Sequence, residues 1–336
     1  MEKLKLLVLC LCSCVLANAQ DPHFSQFFSS PLTLSPAFIG KFDGNLRVAG
    51  DYRSQWATID NAYKTATLSV DFPILKNKIA YNDIFGVGLM AYTDKSANGA
   101  LSFNYATIGT AFHKGIDEDG YQQIGAGFQL TYAQMRLYTA DLHFADQLTS
   151  AGYTNVTSEI FSGSDLKAHY MDLNAGMLYS GSTSDNNYFY AGVSGYHLNR
   201  PRTEFTGATY LLDPRVTIHG GGYFPVSDNA KLHLSGLYNT QSGVSETVLG
   251  GAFEFSPGGT ENVEIPVSMY AGAWIRLQDA VIPYAGLEYG TMRLGISYDV
   301  TTSPLKPYSL SRGGLEISLI YIQRSPDSKP IHCPKF

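Results

Sequence analysis

The chain has 336 residues, a formal net charge of −6 and only 15% charged residues, a low share against the usual quarter. That balance gives no electrostatic basis for a nucleic-acid partner. Glycine (33), tyrosine (23) and phenylalanine (18) are abundant, and beyond the first 19 residues no apolar run approaches the roughly 20 residues of a spanning helix.

Residues 1–19 form a signal peptide: Lys3 and Lys5 give a basic start, Leu6 to Leu16 an apolar stretch, and Ala17-Asn18-Ala19 a cleavage site that leaves Gln20 first. A competing lipobox at Leu11-Cys12-Ser13-Cys14 would put lipid on Cys14 instead. Cleavage after Ala19 removes Cys10, Cys12 and Cys14, so Cys333 remains alone and no intrachain disulfide is expected in an oxidising compartment.

Residues 20–43 are a second, irregular unit. Pro22, Pro31 and Pro36 remove backbone donors, which argues against a regular helix or a central strand. Phe24, Phe27, Phe28, Leu32, Leu34, Phe38 and Ile39 are nevertheless too apolar for a solvated tail. Such a segment needs a concave surface, and the later strands must supply it. We expect it to dock at the periplasmic mouth, with Phe24, Phe27, Phe28 and Phe38 as partner contacts.

Residues 44–324 show period-two alternation, which sends neighbouring side chains to opposite faces. Ile124, Ala126, Phe128, Leu130 and Tyr132 alternate with Gln123, Gly125, Gly127, Gln129 and Thr131, and Met292, Leu294, Ile296 and Tyr298 oppose Arg293, Gly295, Ser297 and Asp299. Expected strands are 44–57, 62–73, 83–94, 99–113, 120–137, 167–181, 187–199, 215–226, 229–240, 245–256, 262–276, 280–289, 291–300 and 312–324. Alternation alone also fits a soluble sandwich. Aromatic residues at strand ends (Tyr52, Trp56, Tyr92, Tyr132, Tyr179, Tyr289, Tyr298, Tyr321) favour interfacial girdles. The opposite face, rich in Gly, Ser and charge, suits a lumen, and only closure removes the edges of one continuous sheet. The fold expected is all-β: a single transmembrane antiparallel β-barrel of about 14 strands in the outer membrane, in contact with its lipid.

With the amino terminus periplasmic, the two longest connections, 138–166 and 199–214, both face outside. The first carries Leu142, Phe144, Tyr153 and Phe161, and the second Arg200, Arg202, Phe205 and Tyr210. Loops of that length and character cap a barrel or bind a partner. Residues 325–336, with Pro326, Pro330 and Pro334, cannot continue the last strand and form a periplasmic tail.

The opening Asp21-Pro22-His23-Phe24-Ser25-Gln26-Phe27-Phe28, then Pro31-Leu32 and Ser35-Pro36-Ala37-Phe38-Ile39-Gly40, resembles the signature of the PorP/SprF family, outer-membrane proteins of the type IX secretion and gliding machinery of Bacteroidota. Cys333-Pro334-Lys335-Phe336 is similar to that family's Cys-Pro-Arg-Phe ending, with Lys335 a departure. The resemblance implies a barrel that helps secrete, or retain at the surface, client proteins bearing a type IX C-terminal domain, such as gliding adhesins. It also implies periplasmic or lipoprotein components of the machinery as partners.

Catalytic parts are not evident in the sequence. Gly192-Val193-Ser194-Gly195 lacks the nucleophile-elbow spacing, and no strand glycines are followed by a phosphate-binding helix. His219 and His233, on adjacent expected strands, lack a third ligand. No enzyme activity, cofactor or metal is expected. Inward charges (Arg47, Asp51, Arg53, Asp71, Asp172, Arg215, Lys231, Glu254, Arg276, Glu288, Arg293, Asp299, Glu316) either pair across the lumen or line a water-filled pore. The two function classes are therefore a secretion component acting by binding and an outer-membrane pore or transporter for small or hydrophobic solutes with an amino-terminal plug.

Overall fold

The alternation closes, in the computed structural model, into an antiparallel barrel of fourteen strands. They are β1 (Leu46–Gln55), β2 (Tyr63–Ile74), β3 (Ile84–Ser96), β4 (Leu101–Gly115), β5 (Gln122–Tyr138), β6 (Asp165–Gly181), β7 (Tyr188–Tyr196), β8 (Arg215–Ser227), β9 (Ala230–Gln241), β10 (Val244–Phe255), β11 (Val267–Arg276), β12 (Ala280–Tyr289), β13 (Met292–Thr301) and β14 (Arg312–Gln323). The structure describes residues 21, 23–58, 63–75, 78–150, 152–154, 156–161, 163–184, 186–205, 208–257 and 265–324. The expected signal peptide 1–19 with Cys14, and the expected tail 325–336 with Cys333, lie outside the described residues.

Each strand pairs with its sequence neighbour, and β1 closes on β14 in unbroken register from Leu46↔Gln323 to Gln55↔Gly314. The barrel sheet itself leaves no edge for another chain to extend. The faces are inverted relative to a soluble sandwich. Leu68 (56% exposed), Phe128 (63%) and Phe253 (58%) point outward, while Arg47, Arg53, Asp71, Glu254, Asp299 and Glu316 are buried inside. An apolar exterior around a polar interior is the arrangement that hydrocarbon demands of a spanning sheet. Tyr52, Tyr132, Tyr179, Tyr289 and Tyr298 are exposed on that exterior, but Tyr92 is a correction. It shares the inward parity of Gly86 and Gly88 on β3 and meets Phe24 inside the barrel, ring centroids 6.3 Å apart.

One rim carries short turns such as 228–229 and 290–291, and the other carries the two longest connections, 139–164 and 197–214. In outer-membrane barrels the long loops face outward, so we call these the inner and outer rims.

Candidate functional site: the plugged lumen

Residues preceding β1 do not stop at a mouth. At the inner rim the Asn45 amide donates to Gln323 O (2.8 Å), and the Lys41 ammonium donates to Gln123 Oε1 near the start of β5. Deeper in, the Gly40 amide donates to Asp71 Oδ2 (2.7 Å), Arg47 to Phe38 O (2.9 Å), Tyr196 to Thr33 O (2.8 Å) and Gln129 to Leu32 O (3.0 Å). At the outer rim the Asp21 amide donates to Gln241 Oε1 at the end of β9 (3.0 Å). The segment therefore crosses the lumen from rim to rim as a plug. The expected seat at the periplasmic mouth is where it enters, and its contacts continue through the barrel to the far end.

The prolines shape this path. Pro31 opens a single α-turn (Pro31–Leu34) and Pro36 a 3₁₀ turn (Pro36–Phe38), with the Ser35 hydroxyl accepting from the Ala37 amide (3.2 Å). Proline at a first helical position sacrifices a donor that would have no intrahelical partner anyway. The turns keep the plug narrow, and glycines let it approach the wall. A Cβ at Gly127 would sit 2.3 Å from Pro36 O, and one at Gly86 would sit 2.5 Å from Ile39 O. The glycine-rich inner face of β3 to β6 is the seat of the plug.

Opposite, the plug is held by rings and charges. Phe28 packs on Trp274 (centroids 4.6 Å) and Tyr284 (5.4 Å), and Phe38 on Tyr190 (5.4 Å) and His219 (5.3 Å). The Glu316 carboxylate accepts the amides of Ser25 (2.8 Å) and Gln26 (2.6 Å), and the Ser25 hydroxyl donates to Asp299 (2.8 Å) while accepting from Arg276 (2.6 Å). Arg53 and Arg276 flank Asp299 at 2.8 and 3.0 Å. Buried ion pairs gain little net stability, but deleting one member strands the others at about 3–5 kcal/mol. Arg47, Arg53, Asp71, Arg276, Asp299 and Glu316 thus pair with one another and with the plug.

Asp21 is the outer fastening. His197 Nε2 lies 2.7 Å from Asp21 Oδ2, His197 Nδ1 lies 3.0 Å from Asp172 Oδ2, and Arg215 Nε is 3.6 Å from Asp21. Burial alone would lower the His197 pKa, yet hydrogen bonds to Asp172 and Asp21 carry it up to about 9. Burial alone would raise Asp21, yet the Arg215 charge and the His197 hydrogen bond bring it down to about 2. Between this fastening and the plug turns lies a chamber of about 110 Å³.

The sequence-predicted site residues divide sharply. Phe24, Phe27, Phe28 and Phe38 are buried. Their apolar area is largely removed from water against this chain's own wall, and Phe24 and Phe27 also line the chamber. Leu142, Phe144 and Phe161 on the first outer loop are half-buried, with Phe144 and Phe161 in contact (centroids 5.7 Å). Tyr153 is exposed and bonds Gln147. Arg200 pairs with Asp213 (2.9 Å) in solvent, and Arg202 and Tyr210 are exposed on a hairpin of Arg202–Phe205 with Ala208–Leu211. Phe205 belongs to that hairpin, and its side chain lies outside the described residues. His219 and His233 do not meet. His233 stands opposite Tyr223 in register, four residues from His219 or roughly 13 Å along the strand, and it pairs with Glu254 instead (2.8 Å). Among the described residues no group of three or more His, Cys, Asp or Glu is placed to hold a metal ion.

A closed barrel with an apolar exterior and a lumen filled by its own amino-terminal segment defines an outer-membrane β-barrel with an internal plug. The chain belongs to the PorP/SprF family, described as type IX secretion system membrane proteins, whose model matches residues 16–321. Among solved structures it is similar to the Pseudomonas putida toluene transporter TodX (10% identity, 89% of this chain and 93% of that one, TM-score 0.48). It is also similar to the KdgM porin in complex with disordered oligogalacturonate (6%, 82% and 98%, 0.40). A third is the translocator domain of the autotransporter NalP from Neisseria meningitidis (9%, 82% and 88%, 0.43). No curated protein sequence matches it significantly.

Proposed function

We propose that this protein is a non-enzymatic component of type IX secretion that acts by binding. It assists the secretion or surface attachment of a client protein bearing a type IX C-terminal domain, such as a gliding adhesin, together with periplasmic or lipoprotein parts of the machinery. The observation that carries this reading is the occupied lumen. A barrel whose interior is bonded to its own segment from rim to rim works as a scaffold with an outer face, and the family is a secretion family. That face presents Leu148, Val156 and Ile160 on one loop and Tyr210 and Leu211 on the other, all exposed, apolar area of the kind that partner proteins cover.

Replacing 139–164 with a short Gly-Ser turn tests this. Insertion should persist, because closure runs through the strands and not the loop, and client display should fail. Normal display by a correctly inserted variant removes the loop from the binding surface. In a planar bilayer the intact protein should be silent; steady conductance would support the rival, a pore or transporter for small or hydrophobic solutes.

A further inference from the structure

The chamber beside the plug is not used by anything described so far. Its floor is plug, with Phe24, Phe27, Leu32 and Leu34, and its walls are the outer halves of β3 to β9. Tyr92, Tyr105 and Tyr196 present rings to it. The chamber exists only while the plug is seated, since plug and wall each supply part of its lining. Asp21 and His23, half-buried at its outer end, mark the side from which solvent reaches it.

Three atoms in this lining make no hydrogen bond: His197 Nδ1 and Arg215 Nε, which still lie 3.0 and 3.6 Å from a carboxylate oxygen, and Asp172 Oδ1. Asp172 is 4% exposed, and its Oδ2 takes His197, but Oδ1 has no hydrogen-bond partner. A buried carboxylate oxygen left unpaired is costly, so a donor beside it, from water or from an occupant, is favoured. No full charge is required of the occupant, because Asp21 and Asp172 are opposed by His197 and Arg215 around the same wall. The volume of 110 Å³ holds roughly eight to ten water-sized spheres, the size of one substituted ring. The rest of the lining mixes Thr, Asn and Gln side chains with the apolar surface of Phe24, Phe27, Leu32, Leu34, Met90 and Leu237, and that apolar part suits a ring face.

We propose that this chamber binds a neutral single-ring aromatic bearing one hydrogen-bond donor, with the ring against the plug and the donor on Asp172. The shared chemistry has two sources, a free phenol-like molecule or a tyrosine side chain offered by a partner chain from the outer face.

The test uses the full-length protein refolded in detergent and titrated with 4-methylphenol, toluene and N-acetyltyrosine amide. Saturable binding of 4-methylphenol, with toluene about ten- to a hundredfold weaker, is the expected result. The Met90→Trp variant, which fills the chamber from β3, should abolish it. Because that change also presses on the plug through Leu32, the wild-type protein is photolabelled in parallel with an azidophenol. Labels should map to the outer halves of β3 to β9 and to residues 23–34. Binding by 4-methylphenol but not by N-acetyltyrosine amide assigns a free ligand, and the reverse assigns a partner's side chain. No saturable binding by either, equal affinity for toluene, or labels confined to the detergent-facing wall overturns the proposal.

Discussion

Raising the pH should release the outer end of the plug while the barrel stays closed. His197 is carried from 6.5 to about 9 by Asp172 and Asp21 against the effect of burial. A raised pKa means that its contribution is complete below about 6.5 and is lost as pH climbs through about 9. Asp21, lowered from 3.8 to about 2, contributes fully above about 3.8 and loses its share as pH falls through about 2. The fastening is strongest between those limits, near pH 4 to 6.5. The His197 rise is worth on the order of 3 kcal/mol, shared between two carboxylates. Seven buried apolar plug side chains, at about 1.5–3 kcal/mol each, hold the remainder with roughly 10–20 kcal/mol. The larger quantity decides the outcome: the end frays and the plug stays. Hydrogen exchange, corrected for its chemical pH dependence, should show protection over 21–26 falling by about a hundredfold between about pH 6 and pH 9.5, with 36–40 unchanged. His197→Gln should remove the dependence. An identical pH response in that variant, or none in the wild type, would refute the reasoning.

Any Cβ at Gly127 meets plug backbone at 2.3 Å. Gly127→Ala should therefore lower the temperature at which the folded band disappears on gels by an amount matching about 1–3 kcal/mol, without expelling the plug. Arg53→Ala leaves Asp299 and Glu316 with one fewer cation and should cost about 3–5 kcal/mol in the same assay. Arg200→Ala, at an exposed pair, should cost about 0–1 kcal/mol; equal effects would contradict the burial argument. Deleting 21–40 should turn a silent barrel into a conducting one in a planar bilayer, and continued silence in a correctly inserted variant would show that something else blocks the lumen.

Strand positions were legible because lipid and lumen impose opposite chemistries on alternate residues, and each of the fourteen expected spans overlaps its strand. Parity, and not nearness to a strand end, sets the face of a residue, which is why Tyr92 points inward. Backbone geometry can also end a strand early. The strand expected to reach residue 199 stops at Tyr196, because His197 adopts φ 57°. That turn hid its role beside Asp21. The plug was legible as something needing a concave seat, since prolines and phenylalanines together admit little else. Its depth was not, because Gly127 and Pro36 are far apart in sequence and neither carries a mark of the other. Inward charges were likewise visible as a set, but their partners on plug backbone, such as the amides of Ser25 and Gln26, follow only from closure.

Because β1 zips to β14 around a segment that leaves β1 at the inner rim and reaches the outer one at Asp21, the chain is a lasso: a ring with its own thread passed through it. A lasso can be knotted shut. A bulky group attached at position 23 after folding, from the outer side, would be too wide to be drawn back through the occupied ring. The plug would then be captive by topology, whatever happens to its bonds. Unfastening chemistry, such as high pH or loss of His197, would loosen contacts in such a protein without ever opening the lumen. That separates the work done by a seated plug from any work that requires its departure.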